Sequence, residues 1–241
     1  MTYGFKLFNA NGGVAVDCDY PVYQLKESGT ITVTVQAGVL MATGNIAFSS
    51  PVTSQAPPII ALRWGAVDRV YCLATGIQGS PGAWTAWAGN FEGEVNATFT
   101  VEWRCYCTGL RSTTGYALQT RNGAGEICFD SSFAPLHLVA AVAPNNWVRI
   151  DAAAARWIIF NVTRVHDYFT APQANLFLVL SAMESAEVYA PGVMSAREHM
   201  AVFGYGFGPS NRIIRRSDVF YNVNAPNLLP TFGFPVLLGA A

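Results

Sequence analysis

The chain has 241 residues, of which 51% are hydrophobic and 13% aromatic. That is ample for a packed core in one large domain or in two of about 110–120 residues. Only 12% are charged and the net charge is −1. With no basic stripe, a nucleic-acid partner is excluded. No apolar run approaches the length of a spanning helix, so no membrane insertion is expected.

In chain order, the first unit is Tyr3 to Asp17. Tyr3, Phe5 and Leu7 alternate with other residues, Asn9 to Gly12 supply a tight turn, and Val14 and Val16 resume the alternation. This predicts a strand, a short loop and a second strand. Thr30 to Val35 reads as a half-buried strand, and Pro58 to Leu62 and Val70 to Leu73 as core strands. Gly79 to Asn90 carries Trp84 and Trp87 among small residues. Two such indoles form either a stacking platform for a sugar ligand or anchors in the core or a subunit interface. Val95 to Cys107 alternates without a break and predicts a long antiparallel strand.

A Gly/Ser/Thr stretch at 108–115 marks a boundary, after which the opening pattern returns. Tyr3/Tyr116, Asn9/Asn122, Gly12/Gly125, Asp17/Asp130 and Leu25/Leu138 are identical, all at the same spacing of 113 residues (116 − 3). A repeat decides architecture before any single residue does. It predicts that 3–25 and 116–138 fold as the same hairpin. Each Asp is read as a turn residue bonding its own backbone, with an ion ligand as the alternative. Further strands are expected at 147–150, 157–165, 176–180, 200–207 and 213–223. Asp151 to Arg156, with four alanines, and Met194 to Met200 are the weak helix candidates.

Many short strands with frequent turns indicate an all-β chain of two tandem β-sandwich-like domains from a duplicated unit. The expected division is an N-terminal sandwich over 1–110, its repeat over 111–223, and an extended apolar tail over 224–241. The three prolines of the tail (Pro226, Pro230 and Pro235) forbid a regular helix. Leu228, Leu229, Phe232, Phe234, Leu237 and Leu238 make it a candidate subunit interface.

Chemistry is hard to find. The five cysteines fit no zinc spacing, and Cys105 and Cys107 read as buried small residues more readily than as a metal pair. Reduced cysteines fit assembly in a cytoplasm, and the N-terminus shows no signal peptide. His137, His166 and His199 are scattered. No nucleophile elbow, phosphate loop or dinucleotide fingerprint is present. The expectation is no enzyme, no catalytic residues, no metal and no cofactor. Low charge with many aromatics predicts a surface buried against other subunits.

Tyr3-Gly4, Asn9-x-x-Gly12 and Asp17 at this spacing resemble the opening of the small tail-tip proteins of long-tailed bacteriophages. The stretch from Tyr116 to Asp130 is similar to the same opening, departing at Ala117 where Gly is usual. The resemblance implies a β-rich structural component of the virion. Its place would be the distal tail, at the tip, baseplate or fibre, after assembly in the host cytoplasm. It also implies contacts with other phage tail proteins, a homotrimer around the tail axis, and a role in attachment that can include a host surface receptor. A reading from another class is a carbohydrate-binding module that uses Trp84 and Trp87. A β-sandwich hydrolase with a site assembled only in three dimensions is the third.

Overall fold

The computed structural model describes residues 6–8, 14–17, 20–36, 42–65, 70–113, 115–142, 148–157, 160–170, 176–179, 199–208, 212–222 and 236–239. The description is of the backbone alone at 6–8, 14–17, 73–74, 140–142, 149–157, 160–169, 199–208, 212–222 and 236–238. Within it every regular element is a strand. The first half holds β1 (Lys6–Phe8), β2 (Val14–Asp17), β3 (Gln24–Thr34), β4 (Ala42–Val52), β5 (Ile59–Trp64), β6 (Tyr71–Ser80), β7 (Ala83–Glu92) and β8 (Thr98–Cys107). The second holds β9 (Gln119–Arg121), β10 (Ile127–Asp130), β11 (Leu138–Val142), β12 (Val148–Trp157), β13 (Phe160–Thr170), β14 (Phe177–Val179), β15 (His199–Gly208), β16 (Arg212–Asn222) and β17 (Val236–Gly239). The alanine run expected to be helical is the middle of β12, paired residue by residue with β13. Four alanines set only a weak helix preference, and a long ladder overrides it.

Two hairpins, β1–β2 and β9–β10, form small sheets of their own. The remaining strands make two larger sheets. One runs β3-β8-β5-β14-β17-β11, the other β4-β7-β6-β15-β16-β13-β12. They pack face to face. Odd residues of β8 (Phe99, Val101, Trp103, Cys105, Cys107) and even residues of β5 (Ile60, Leu62, Trp64) point inward. There they meet Ile46, Phe48 and Val52 of β4, Cys72 of β6, and Trp87 and Phe91 of β7. This is the two-layer solution that antiparallel strands with one apolar face reach.

The strand orders correct the expectation of two separate sandwiches. Each large sheet takes strands from both sides of residues 108–115. β5 pairs with β14 (Leu62↔Leu178, Ala61↔Val179) and β6 with β15 (Tyr205↔Cys72), so the halves are fused edge to edge. Hydrogen-bond capacity left open at β5 and β6 is what drives the fusion, since an unpaired edge seeks a strand.

The expected tail is corrected too. Residues 236–239, with Leu237 and Leu238, are not an extension beyond the fold. They form β17, a strand inside the six-stranded sheet with β11 on one side and β14 on the other. Leu228, Leu229, Phe232 and Phe234 lie outside the described residues.

The ladders repeat. In β3–β8 the pairs are Leu25↔Tyr106, Glu27↔Cys105, Ser28↔Arg104 and Gly29↔Trp103, with a bulge between Leu25 and Glu27. In β11–β17 they are Leu138↔Gly239, Ala140↔Leu238, Ala141↔Leu237 and Val142↔Val236, with a bulge between Leu138 and Ala140. Every first-strand position differs by 113 (138 − 25), and the bulge falls at the same step. The closing strand of the first half, β8, therefore has β17 as its counterpart. The six-stranded sheet reads the same from either end, as β3-β8-β5 and β11-β17-β14. A local two-fold passes through the pair Ala61↔Val179.

Candidate functional site

The hairpins were the repeat seen in sequence, and their ladders coincide. β1–β2 pairs Lys6↔Asp17, Leu7↔Val16 and Phe8↔Val14. β9–β10 pairs Gln119↔Asp130, Thr120↔Phe129 and Arg121↔Ile127. Adding 113 to each number of the first set gives the second, including the residue skipped by the bulge.

In the second hairpin the loop chemistry is visible. Gly125 N–H donates to Asn122 O at 2.9 Å, and Asn122 N–H to Glu126 O at 3.0 Å. Gly125 holds φ at 83°. This is a three-residue hairpin loop, a turn closed by a left-handed residue, where glycine carries no Cβ penalty. Asn122 does not take positive φ. Its Oδ1 accepts from the N–H groups of Ala124 and Glu126, and so caps the loop from within.

Asp130 is the turn residue the sequence indicated, and more. It is fully buried. Oδ1 accepts from Ser132 N–H at 2.9 Å, while Oδ2 accepts from Ser112 N–H at 2.9 Å and Gln119 Nε2 at 2.7 Å. Burial pushes its carboxyl pKa up, but the donors from Ser112, Ser132 and Gln119 outweigh burial and hold it below the usual value. This pattern serves an internal anchor.

The hairpin sits against residues 22–25, the segment that enters β3. Val22 N–H donates to Cys128 O at 2.8 Å. The Gln24 amide, 1% exposed, forks onto the backbone of Asp130: Nε2 donates to Asp130 O at 2.6 Å and Oε1 accepts from Asp130 N–H at 3.0 Å. Nε2 also reaches Phe133 O at 2.8 Å. Alongside, Leu25 N–H donates to Ala134 O and Leu136 N–H to Tyr23 O, pairs whose numbers both add to 159. A shift of one member up by 113 and the other down leaves that total unchanged. Tyr23 and Leu136 are themselves 113 apart, so the local two-fold runs through them. Both pack with Ala61 and Val179 in one cluster on the outer face of the six-stranded sheet. No sequence signal marked Gln24.

That cluster has a charged rim. Phe177, 2% exposed, lies under the guanidiniums of Arg104 (4.4 Å) and Arg63 (5.2 Å). Arg63 Nη2 also bonds both oxygens of Glu102 at 2.7 Å. The arginines spread over the ring and are tied by the carboxylate, which is a packing role.

The tryptophans are placed by the β6–β7 hairpin, whose Pro81-Gly82 tip turns tightly between Ser80 and Ala83. Trp87 is fully buried and edge-on to Phe91, with centroids 6.5 Å apart. Its ring lies across Gly89, where an added Cβ would come within 2.3 Å of the indole. Trp87 thus presents no face to a sugar. Trp84 is half-buried against the same core, and its Nε1 donates to Ser54 O at 2.9 Å. The pair anchors the core; it is not a stacking platform on this chain.

Cys72, Cys105, Cys107 and Cys128 are buried. Burial pushes the thiol of Cys105 up to about 12 and that of Cys107 to about 11, and raises Cys72 as well. Burial thus favours the protonated thiol at Cys72, Cys105 and Cys107, whereas a ligand or nucleophile must be a thiolate. Cys18 lies outside the described residues. Among the described residues no group of three or more His, Cys, Asp or Glu could hold a metal ion. His166 occupies a ladder position between Asp151 of β12 and Arg216 of β16.

Large apolar side chains remain exposed, and several fall on the repeated segments: Tyr20 (72%), Tyr116 (108%), Leu118 (55%) and Leu138 (47%). What this geometry offers is one seated hairpin and exposed apolar side chains on the repeated segments. No protein-family model, curated protein or solved structure matches the chain.

Proposed function

We propose that this protein is a structural subunit of a long-tailed bacteriophage virion, placed at the distal tail, where it serves assembly and host attachment. The observation that carries the reading is the repeated opening pattern. The stretch that resembles phage tail-tip openings occurs twice and takes the same ladder register both times. Support also comes from the exposed aromatic and aliphatic residues on those segments. Contacts with other tail proteins, a homotrimer and a host receptor belong to this reading. A carbohydrate-binding module on Trp84 and Trp87 is disfavoured, because Trp87 is fully buried.

The test is mass spectrometry of density-purified virions from the genome that encodes the chain, followed by gold labelling with antibody against it. Peptides at a fixed low copy number and label confined to the tail end are expected. Absence from purified particles, or label on the capsid, overturns the reading.

A further inference from the structure

The loop of the second hairpin holds a labile dipeptide in a tied state. Asparagine is a thermolabile residue, because its side-chain amide is open to attack by the main-chain nitrogen that follows. Glycine in the next place leaves that nitrogen unhindered. Asn122-Gly123 is such a pair. In the first copy of the repeat the equivalent Asn9 is followed by Ala10. The labile pair therefore sits on the capping asparagine only in the hairpin that docks on residues 22–25. Three hydrogen bonds tie its amide. Oδ1 accepts from Ala124 N–H at 3.0 Å and from Glu126 N–H at 2.9 Å, and Nδ2 donates to Glu126 Oε2 at 2.7 Å. The backbone is tied too, since Asn122 N–H donates to Glu126 O and Asn122 O accepts from Gly125 N–H. Residues 123–126 are exposed, and nothing lies within 4 Å of where a Gly123 Cβ would stand. The amide is thus held by the loop's own bonds and is not shielded from water.

We propose that Asn122-Gly123 is a one-way modification site, at which hydrolytic deamidation unlatches the hairpin loop. Gly123 N attacks Cγ of Asn122. The N–Cγ bond forms, the Cγ–Nδ2 bond breaks, and ammonia leaves with the proton that Gly123 N gives up. Water then opens the cyclic imide at either carbonyl and leaves an aspartyl or an isoaspartyl residue. Ring closure brings Cγ onto Gly123 N, which withdraws the amide from its three partners and twists Asn122 out of the hairpin ladder. Reaction therefore proceeds from the open loop, and its rate is the chemical rate multiplied by the fraction open. Neither product restores the latch. The aspartyl carboxylate has no N–H for Glu126 and faces that carboxylate where a 2.7 Å hydrogen bond stood. In the isoaspartyl product the capping carbonyl has become main chain, and the loop gains a backbone atom. The hydrogen bonds set the pace of the reaction, and its products hold the loop open. The proposal is independent of the virion reading, since it concerns the covalent chemistry of one chain.

The full chain is kept folded in neutral buffer made with heavy-oxygen water, which marks every conversion that occurs during the incubation. Peptide mapping follows Asn122 apart from Asn11-Gly12, the other such pair in the sequence. Each rate is referred to that of the same chain in concentrated urea. Folded parent is expected to convert at Asn122 about ten-fold more slowly than unfolded, as a latch of exposed hydrogen bonds leaves a minor open fraction. Glu126→Ala removes the Nδ2 acceptor and should speed the folded chain about three- to ten-fold, while Glu126→Gln keeps an acceptor oxygen and should speed it less. The isoaspartyl form, separated by ion exchange, should lose amide-exchange protection at Ala124, Gly125 and Glu126 with that of β8 unchanged. Equal rates in the folded and unfolded parent overturn the proposal. So does a Glu126→Ala chain that converts no faster than the parent, and so does converted protein that keeps its loop protection. None of these outcomes bears on whether the protein is found in virions.

Discussion

Replacing Gln24 by leucine tests whether one buried amide holds the second hairpin to the body. Leucine is close in size, so the change deletes hydrogen bonds and leaves little cavity. Three bonds go: two to the backbone of Asp130 and one to Phe133 O. The Asp130 N–H and C=O are buried, and each orphaned group costs about 1–3 kcal/mol. The Phe133 carbonyl is only partly buried and can turn to water, so it adds little. Against a loss of about 2–6 kcal/mol stands the gain from burying an apolar side chain, about 1.5–3 kcal/mol. The expected net destabilisation is about 2 kcal/mol, or about thirty-fold in the folding equilibrium. Gln24→Ala keeps the same orphans, forgoes most of the apolar gain and adds a void, so it should cost about 1–2 kcal/mol more. Urea unfolding followed by circular dichroism measures both, with the m-value checked for constancy. Amide exchange should show lost protection at 128–133 before the rest of the chain. Gln24→Leu within about 0.5 kcal/mol of the parent, with protection at 128–133 intact, would refute the anchoring role.

Two further outcomes follow from the structure. The carboxyl of Asp130 is held below its usual range, as is that of Glu27, where burial is outweighed by bonds from Ser49 and Lys26. Lowered folded values mean stability that is fully present above the unfolded pKa of about 4 and is lost as pH falls through the folded value. Acid titration of the unfolding free energy should show this loss beginning below about pH 5, and Asp130→Asn should flatten it while lowering stability at pH 7. An unchanged slope in that variant would show that Asp130 does not carry the effect. Removing residues 224–241 deletes β17 from the middle of a sheet, so the truncated chain should fail to unfold cooperatively. Leu238→Asp, opposite the fully buried Leu178, should do the same. Soluble truncated protein that melts cooperatively would show that β17 is dispensable.

Much of the fold was legible from periodicity. β8 follows the alternation over Thr98 to Cys107, while Val95 to Ala97, expected as its start, form a turn with Val95 exposed and Asn96 at positive φ, and the hairpin loop follows from Asn and Gly at fixed spacing. The fusion of the halves was not read, although a signal existed. Pro58-Ile59-Ile60-Ala61-Leu62 and Leu176-Phe177-Leu178-Val179-Leu180 are continuous apolar runs. Such runs belong to strands covered on both faces, hence to the interior of a wide sheet. They are β5 and β14, the two strands of the seam. β17 was hidden for another reason: four residues after Pro235 are too few to show a period, and the prolines nearby argued for irregular chain. The Gln24 fork left no trace in sequence, because its partners are backbone atoms 106 residues away. The tryptophans showed the limit of composition. Small neighbours suggested an exposed platform, but Gly89 is small because the Trp87 ring lies on it.

The seam explains how the two halves become one body. Among the described residues β5 and β14 pair at Leu62↔Leu178 and Ala61↔Val179, and β6 and β15 at Cys72↔Tyr205. Side chains reinforce this pairing on both faces of the sheet. Inward, Leu178 and Leu62 are fully buried in the main core beside Trp103 and Ile60. Outward, Phe177 and Val179 pack with Ala61 and Tyr106 beneath Tyr23 and Leu136, with Arg63 and Arg104 over the Phe177 ring. The segments that lead out of the two hairpins thus close over the seam from outside and pair with each other along the two-fold. A hairpin docked on either segment therefore bears on the joint between the halves. The second hairpin does so through the Gln24 amide, which ties Asp130 and Phe133 to the start of β3.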